Sequence, residues 1–354
     1  MSEAPRAPDT RLRARDRTTK DGPCYAALDL GTNNCRLLIA TPSAGGFRVV
    51  EAYSRIVRLG EGLSQTGRLS EAAMDRALAA LAVSAEKVRR RRVVKLRAVA
   101  TQACRSAENG EAFVERVAKE TGLNLQVISP HEEARLSVAG CLGLLDREAQ
   151  AALVVDVGGG STEMSWVDLS GPTQAADKTP PIKAWLSIPI GVVTLAERFP
   201  EGDAPTDQWF RAMVEAVKSE IAAFRRAEPL RPVFEADGAH LVGTSGAITS
   251  LAGLHLGLER YDRSRVDGIW MTRADCDRAA GMLLALTPAE RAQQPCIGPD
   301  RADLVLAGAA ILRVADRGLR EGVLISLMSD KGGRRRRRRG PRRRRTGENT
   351  KAPA

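Results

Sequence analysis

Short apolar runs and helical patterns alternate along both halves of the chain. Apolar runs at 25–28 and 96–100 predict strands, and apolar positions spaced three or four apart from 71 to about 90 predict a helix. The order restarts near residue 153, where a strand leads into a glycine-rich turn, and a strand, a turn and a helix follow at 241–256. Because strands and helices alternate in both halves, we expect an α/β fold of two domains that meet at a cleft.

The predicted domain boundaries follow from composition and from a weak internal repeat. Asp29-Leu-Gly31 and Asp156-Val-Gly158 occupy equivalent settings, each at the end of a predicted strand, and lie a whole domain length apart. We predict a disordered segment at 1–22, domains at 23–148 and 149–330, and a disordered Arg-rich tail at 331–354.

The net charge of +11 arises in the tail. Residues 331–354 carry 12 basic side chains and one acidic one, so the remaining 330 residues hold 42 of each sign and are neutral. This distribution argues against a generally basic nucleic-acid-binding core. Only a local cleft or the tail itself is expected to contact polyanions.

Cysteine spacing and hydropathy indicate the compartment. The six cysteines show no paired or CxxC spacing, which is typical of reduced thiols rather than of disulfides or a zinc site. No apolar run approaches the ~20 residues of a membrane span, and the polar N-terminus does not resemble a signal peptide. We therefore expect a cytoplasmic protein without a membrane partner. Its oligomeric state stays open, a homodimer included.

Two turns of small residues that follow predicted strands are the main candidates for phosphate binding. Small residues allow the backbone to approach an anion and to direct several N–H groups at it. Neither turn is a Walker loop, because no lysine follows the glycines. A tight hairpin explains either turn alone, whereas two such turns a domain length apart favour phosphate binding.

A third turn, at 243–246, opens a helix, and the sequence fits an anion site and a plain turn equally well there. The candidate phosphate-binding residues are Asp29, Gly31, Thr32, Asn33, Asn34, Gly158, Gly159, Gly160, Ser161, Thr162, Gly243, Thr244, Ser245 and Gly246.

Asp156 and Glu163 flank the second turn and are candidate metal ligands. Mg²⁺ takes oxygen ligands and keeps several waters, so one or two protein carboxylates beside bound phosphates suffice. In the alternative interpretation, Asp156 only caps the turn and Glu163 faces solvent.

The segment from Ser129 predicts the start of a helix. Ser129 as N-cap and Glu132 three residues later form a capping box, which gives Glu132 a structural role. Glu133 has no such role, and it fits a general base and a complement to the helix dipole equally well.

Arg105 follows the strand at 96–100; it fits a phosphate clamp, although the sequence favours a surface salt bridge. The histidines share no metal spacing and are interpreted as structural.

Together these segments resemble the Ppx/GppA phosphatases over nearly all of residues 24–328. The resemblance implies two actin-like domains with a ribonuclease H-like fold, as in the sugar kinase, Hsp70 and actin superfamily, and phosphate binding in the interdomain cleft. The segments that carry it are ALDLGTNN (27–34), VRLGEGL (57–63), AVATQACR (98–105), EEAR (132–135), VVDVGGGSTE (154–163), IGVVT (190–194) and GTSG (243–246).

The resemblance also implies roles for the candidate residues. Glu133 corresponds to the family's catalytic base for water, Arg105 to a phosphate-clamping arginine, and Asp156 and Glu163 to acids associated with Mg²⁺. Asn34 departs from the family pattern, in which serine is commoner, so an amide replaces a hydroxyl there. The chain is similar to the short, two-domain members, which lack the helical domains of the longer ones.

The implied activity is exopolyphosphatase: in-line attack of water on the terminal phosphate of inorganic polyphosphate. Guanosine pentaphosphate, and with it the tetraphosphate, is the nearest alternative ligand because the same site would serve. A non-catalytic regulator that binds these nucleotides is a second alternative, and an RNA-associated protein, suggested only by the tail, is a third.

Overall fold

The computed structural model describes residues 22–44, 46–146, 149–170, 181–222, 238–315 and 323–326. These residues form two mixed β-sheets with helices packed on them. Disorder is predicted for residues 1–22 and 331–354. All of these except Gly22 lie outside the described residues, so their disorder stays a prediction. The domain boundary after residue 148 also stays a prediction, since 147 and 148 are not described.

The first half of the chain contains β1 (Tyr25–Leu30), β2 (Asn34–Ser43), β3 (Gly46–Ile56), β4 (Lys95–Ala100) and β5 (Gln126–Val127). They form one sheet in the order β3-β2-β1-β4-β5, in which β1 is antiparallel to β2 and parallel to β4. Its helices are α1 (Leu63–Thr66), α2 (Glu71–Arg90), α3 (Gln102–Ser106), α4 (Gly110–Thr121) and α5 (Pro130–Cys141).

Helix α2 shows why the sequence pattern predicts this half well. The Ser70 hydroxyl accepts a hydrogen bond from the Ala73 N–H and caps the helix, while Ala73, Ala77 and Leu81 form its buried stripe. Ala77 and Leu81 of this stripe pack in one cluster with Leu28, Leu37 and other buried side chains of the sheet. The predicted helix is confirmed.

The second half contains β6 (Ala151–Val157), β7 (Thr162–Asp168), β8 (Ile182–Ile188), β9 (Ala239–Thr244), β10 (Trp270–Met271) and β11 (Val323–Ser326). Their order is β10-β11-β9-β6-β7-β8, and β6 is antiparallel to β7 and parallel to β9. Its helices are α6 (Val192–Arg198), α7 (Asp207–Ala222), α8 (Gly246–His255), α9 (Arg263–Val266), α10 (Arg273–Leu284), α11 (Pro288–Ala292) and α12 (Val305–Ala315).

The two sheets repeat one pattern. In each, the central strand (β1 or β6) turns into an antiparallel neighbour and pairs on its other side with a parallel strand. The internal repeat predicted from the two Asp-x-Gly turns is therefore present in the strand pairing. The equivalent turns lie at the carboxyl ends of the equivalent strands, which is where ligands bind in open α/β sheets.

Polar contacts join the two halves beside this edge. Arg58 donates to both carboxylate oxygens of Asp303, at 2.9 and 3.0 Å. Glu197 accepts from the Gly62 N–H at 2.8 Å and from the Ser64 hydroxyl at 2.5 Å. Among the described residues, no helix is both long and apolar enough to cross a membrane.

Candidate active site

The turns after β1 and β6 close in the same way. The Gly31 N–H donates to the Asn34 carbonyl at 2.8 Å, and the Gly158 N–H donates to the Ser161 carbonyl at 2.9 Å. Both turns line one cavity between the two sheets. The structure thus brings together the two segments that the sequence singles out, although their strands belong to different sheets.

Glycine is required where the second turn meets the first. A Cβ atom on Gly160 would lie 2.7 Å from the Thr32 hydroxyl oxygen, and one on Gly159 would lie 3.0 Å from the Asn33 backbone nitrogen. Any larger side chain would push the turns apart. Gly191, at the start of α6, approaches the Gly159 backbone in the same way. Gly159 and Gly160 therefore allow the two turns to lie close together, in addition to presenting backbone N–H groups.

The third turn also reaches the cavity. Thr244, Ser245 and Gly246 line it, and Ser245 adopts a φ of 118° at the strand-to-helix junction. The Ser245 hydroxyl is buried without a hydrogen-bond partner in the described part of the chain, as is the side-chain oxygen of Asn33. Such unsatisfied groups at a cavity wall are suited to a polar ligand.

Two of the predicted phosphate-binding residues do not line the cavity. Gly243 lies inside β9. Thr162 is buried at the start of β7, and its hydroxyl donates to the Ile190 carbonyl at 2.7 Å. Thr162 therefore holds the turn against the start of α6 and is too deep to contact a ligand.

The carboxylates of Asp29 and Asp156 line the cavity from the two central strands. Asp156 accepts a hydrogen bond from the Thr244 hydroxyl at 2.7 Å, which fixes its side chain. Glu163 is the cross-strand partner of Asp156, is only 2% exposed and accepts from the Ser187 hydroxyl at 2.8 Å. The alternative in which Glu163 faces solvent is therefore wrong.

Glu133 enters the cavity from the first turn of α5. Arg105 places Nη1 and Nη2 at 3.3 and 3.2 Å from its Oε2 atom. Arg105 also donates to the Ile128 carbonyl and to Gln102, each at 2.6 Å, and its side chain is 19% exposed. The interpretation of Arg105 as a surface salt bridge is wrong, since it is a mostly buried partner of Glu133.

The predicted capping box is only half formed. The Ser129 hydroxyl accepts from the Glu132 N–H at 3.2 Å, but the Glu132 side chain turns away from Ser129. It accepts instead from Arg97 and Arg135, each at 2.7 Å. Two guanidinium groups outweigh one backbone N–H as partners of a carboxylate. Glu132 is structural as predicted, but through ion pairs that tie α5 to β4.

Comparison with known proteins identifies the family. Residues 38–331 match the model of the Ppx/GppA phosphatase family. The chain belongs to this family. It is 33% identical over 305 residues to exopolyphosphatase 2 of Mycobacterium tuberculosis, which covers 84% of this chain and 91% of that protein. Ppx/GppA members are phosphoric anhydride hydrolases, and the chain is an enzyme of this class.

Solved structures agree with the assignment. The Ppx/GppA family member of Aquifex aeolicus is 28% identical, with a TM-score of 0.67 over 86% of this chain and 93% of that one. An exopolyphosphatase from Cytophaga hutchinsonii, 24% identical, shares the fold with a TM-score of 0.75 over 86% and 94%. The predicted α/β fold, with one mixed sheet in each half, is confirmed as the fold of this family.

The acids of this Ppx/GppA site repel one another. Burial raises the pKa of Asp29 to about 6, with Asp156 adding to the rise and Arg36 opposing it. Burial is also the main cause that raises the pKa values of Glu133 and Glu163, and the carboxylates around them add to it. Arg105 opposes the rise at Glu133. A cluster of this kind is stabilised by an added cation.

The donor set fits Mg²⁺. In the part of the chain that the structure describes, no three His, Cys, Asp or Glu side chains form a ready metal cage. Mg²⁺ does not need one, because water and phosphate oxygens complete its coordination. Asp156 lines the cavity and is held by Thr244, so it is the best placed ligand. Glu163, the cross-strand partner of Asp156, does not line the cavity.

Two arginines that the sequence did not indicate also line the cavity. Arg36 is the cross-strand partner of Asp29, and Arg301 precedes α12. The Arg301 guanidinium lies against Gly246 at the start of α8, 3.6 Å from the position of a Cβ on that glycine. The alternation of side chains along β1 and β2 places Arg36 on the same side as Asp29, and this pattern could have indicated Arg36 as a cavity residue. No local signal marks Arg301, which reaches the site only through the fold.

Proposed function

We propose that this phosphatase removes the terminal phosphate of inorganic polyphosphate, with Mg²⁺, by in-line attack of water. One observation carries the proposal: the Glu133 carboxylate, held by Arg105, faces the same cavity as the two small-residue turns and Asp156. The relative in Mycobacterium tuberculosis is named an exopolyphosphatase. A base, an anion cradle and a metal-binding acid in one cleft are what phosphoryl transfer to water needs.

In the proposed reaction Glu133 takes a proton from the attacking water. The water oxygen bonds to the terminal phosphorus, the bridging P–O bond breaks, and the products are orthophosphate and a chain shorter by one phosphate. Arg105 is a positioning residue, because it holds Oε2 of Glu133 and does not line the cavity. This modifies the phosphate-clamp role that the family resemblance implies.

The turns at 31–34 and 158–161 supply N–H groups to the terminal phosphoryl oxygens. The third turn adds the Thr244 and Ser245 hydroxyls and the N-terminus of α8. Arg36 and Arg301 neutralise charge on the following phosphates. Mg²⁺, when bound by Asp156, supplies further charge neutralisation on the phosphoryl oxygens.

The 5′-phosphate of guanosine pentaphosphate is the second candidate substrate. Arg36 and Arg301 bring two cations to one cavity from separate halves of the molecule. This pair suits successive phosphates of one chain and also separate phosphates of one nucleotide. A non-catalytic regulator that binds such nucleotides is disfavoured, because a binding protein has no need of a buried carboxylate at the position of Glu133.

Phosphate release by the purified chain tests the proposal. Long-chain polyphosphate and guanosine pentaphosphate are compared side by side, with Mg²⁺ and with chelator. We expect Mg²⁺-dependent release from polyphosphate. Release from guanosine pentaphosphate alone would transfer the assignment to the nucleotide, and binding of either compound without release would identify a regulator.

A further inference from the structure

Arg58 lies between the first turn (31–34) and the second half of the molecule. Its backbone N–H and that of Val57 both donate to the Asn33 carbonyl, at 3.1 and 2.9 Å. The Gly60 N–H donates to the Thr32 carbonyl at 3.0 Å. These hydrogen bonds attach the backbone around Arg58 to Thr32 and Asn33, which line the active-site cavity.

The backbone of Arg58 adopts an unusual conformation. Its φ is 45°, in the left-handed region that residues with a Cβ atom rarely occupy. The Arg76 guanidinium donates to the Val57 carbonyl at 3.0 Å and to the Arg58 carbonyl at 3.3 Å, and so holds the backbone in place. Because such conformations persist only where neighbouring groups hold them, and are concentrated at functional sites, Arg58 is a candidate for a functional role.

The side chain of Arg58 binds the segment that carries Arg301. Its guanidinium donates to both carboxylate oxygens of Asp303, at 2.9 and 3.0 Å, and to the Asp300 carbonyl at 3.2 Å. Arg301 lies between these two acceptors in the chain and lines the active-site cavity, whereas Arg58 and Asp303 do not. Arg58, from the first half, thus holds the chain on both sides of Arg301.

The guanidinium of Arg301 has little else to fix its position. Among the described residues it donates to one group, the Ser250 hydroxyl, at the long distance of 3.4 Å. Within the second half, the backbone beside it is held by the buried Arg291, which donates to the Ala302 carbonyl at 3.0 Å. The position of the Arg301 guanidinium therefore depends on its backbone, which Arg58 holds from the opposite side of the cleft.

We propose that Arg58 is a positioning residue, which sets Arg301 relative to the first turn so that both contact one phosphate chain. The inference rests on the proposed function, in which the first turn binds the terminal phosphate and Arg301 neutralises the following ones. Arg58 itself touches no substrate in this arrangement. Loss of its paired hydrogen bonds to Asp303 should therefore weaken substrate binding through Arg301 alone.

The test is a double-mutant cycle in the full chain, with Glu133→Gln added to every variant to prevent turnover. The variants are Arg58→Gln, Arg301→Gln and both together, and the measured quantity is Kd for long-chain polyphosphate at one salt concentration. We expect each single substitution to raise Kd by ~10-fold, the lower end of what a hydrogen bond to a charged group contributes. Since Arg58 acts through Arg301, the double variant should bind as weakly as Arg301→Gln alone.

Two further variants separate the geometry of Arg58 from its charge. Arg58→Lys keeps the positive charge but cannot form the paired hydrogen bonds to Asp303, so Kd should rise as in Arg58→Gln. Asp303→Asn weakens the same contact from the other half and should also raise Kd. Asp303 is exposed and has no unusual backbone conformation, so this variant decides the inference if the Arg58 variants fail to fold.

Ser64→Ala is the matched control. It removes a hydrogen bond to Glu197 that also joins the two halves but holds no part of the segment around Arg301, so Kd should equal that of the parent chain. Unchanged Kd in both Arg58→Gln and Asp303→Asn would overturn the inference. Full binding by Arg58→Lys, additive losses in the cycle, or an equal loss in Ser64→Ala would also overturn it.

Failure of the proposed function is seen separately, as absence of phosphate release from polyphosphate by the unmodified chain. The binding cycle does not depend on that release. If the unmodified chain releases phosphate only from guanosine pentaphosphate, Kd for that nucleotide is measured in the same variants, and the same outcomes decide the role of Arg58.

Discussion

Arg105 directs both terminal guanidinium nitrogens at a single oxygen of Glu133, Oε2, at 3.3 and 3.2 Å. The other oxygen, Oε1, makes no hydrogen bond to any residue that the structure describes. One oxygen is thus held and the other is available to a water in the cavity. This asymmetry is the arrangement that a positioned general base requires.

The first prediction concerns this base. Glu133→Gln keeps the shape of the side chain but cannot accept a proton from water, so we expect kcat to fall by ~10²–10⁴. Polyphosphate binding should persist, which equilibrium binding would check. Retained turnover would remove Glu133 from the role of base.

Glu132→Gln is the matched control, because Glu132 is adjacent in sequence but faces Arg97 and Arg135. The lost ion pairs are partly exposed, so the unfolding free energy should change by no more than about 1 kcal/mol. Turnover should stay close to that of the unmodified chain. The reverse outcome for the two variants would show that their roles are exchanged.

The second prediction concerns the metal. Asp156→Asn can still accept the Thr244 hydrogen bond but lacks the charge that attracts Mg²⁺, so we expect a sharply raised Mg²⁺ concentration for half-maximal phosphate release. Asp168→Asn, on the neighbouring strand and paired with Lys183, is the control and should leave that concentration unchanged. Full activity of Asp156→Asn at low Mg²⁺ would exclude Asp156 as a ligand.

The third prediction concerns the contact between the turns. Gly160→Ala places a Cβ 2.7 Å from the Thr32 hydroxyl oxygen, so the two turns must separate and kcat should fall at least tenfold, as misplacement by about 1 Å does. Gly143→Ala is the control, since no atom lies within 4 Å of the added carbon. Equal activities would show that the close approach is dispensable.

The fourth prediction concerns His240, which is buried with no hydrogen-bond partner among the described residues at either ring nitrogen. Burial lowers its pKa from 6.5 to about 4, with Asp146 opposing the shift. Between pH 6.5 and about 4 the imidazole is protonated in the unfolded chain but neutral in the folded one. The free energy of unfolding therefore decreases as the pH falls through this range, by about 3 kcal/mol at most. Chemical denaturation of His240→Leu should lack this loss. An unchanged pH profile in the variant would contradict the prediction.

The fifth prediction concerns residues 331–354, for which the sequence favours a solvated tail. A chain that ends at Asp330 should then give the same KM and kcat on long polyphosphate as the full chain across a salt series. A raised KM at low salt, with a flatter salt slope and unchanged kcat, would instead show that the tail captures polyanions.

Much of the site could be predicted from local sequence. Asp29, Gly158 to Gly160 and Asp156 lie where a strand ends in a small-residue turn, and such turns are recognisable without knowledge of the fold. The role of Thr162 could not be predicted in this way. Whether a hydroxyl at the end of a turn points to the cavity or to the interior depends on where β7 begins, and a shift of one residue reverses it.

Long-range placement could not be predicted either. Arg301 is remote in sequence from every other group of the site and arrives through the packing of α12 beside α8. Glu132 shows the competition between local and distant partners: its capping box was predictable from spacing, but Arg97 on β4 attracts the carboxylate more strongly. Local patterns indicate turns and helix starts, whereas the pairing of charges depends on tertiary structure.

The two turns come from different sheets and share one cavity, so a phosphate bound there also ties the two halves together. Its binding free energy then adds to the stability of the assembled molecule, by ~2.7 kcal/mol at a concentration one hundred times Kd. Without a bound phosphate, the two halves are held together beside the cleft by contacts such as Arg58 to Asp303 and Ser64 to Glu197. Proteases should therefore cleave this enzyme more slowly when a phosphate-containing ligand is bound in the cavity than when the cavity is empty.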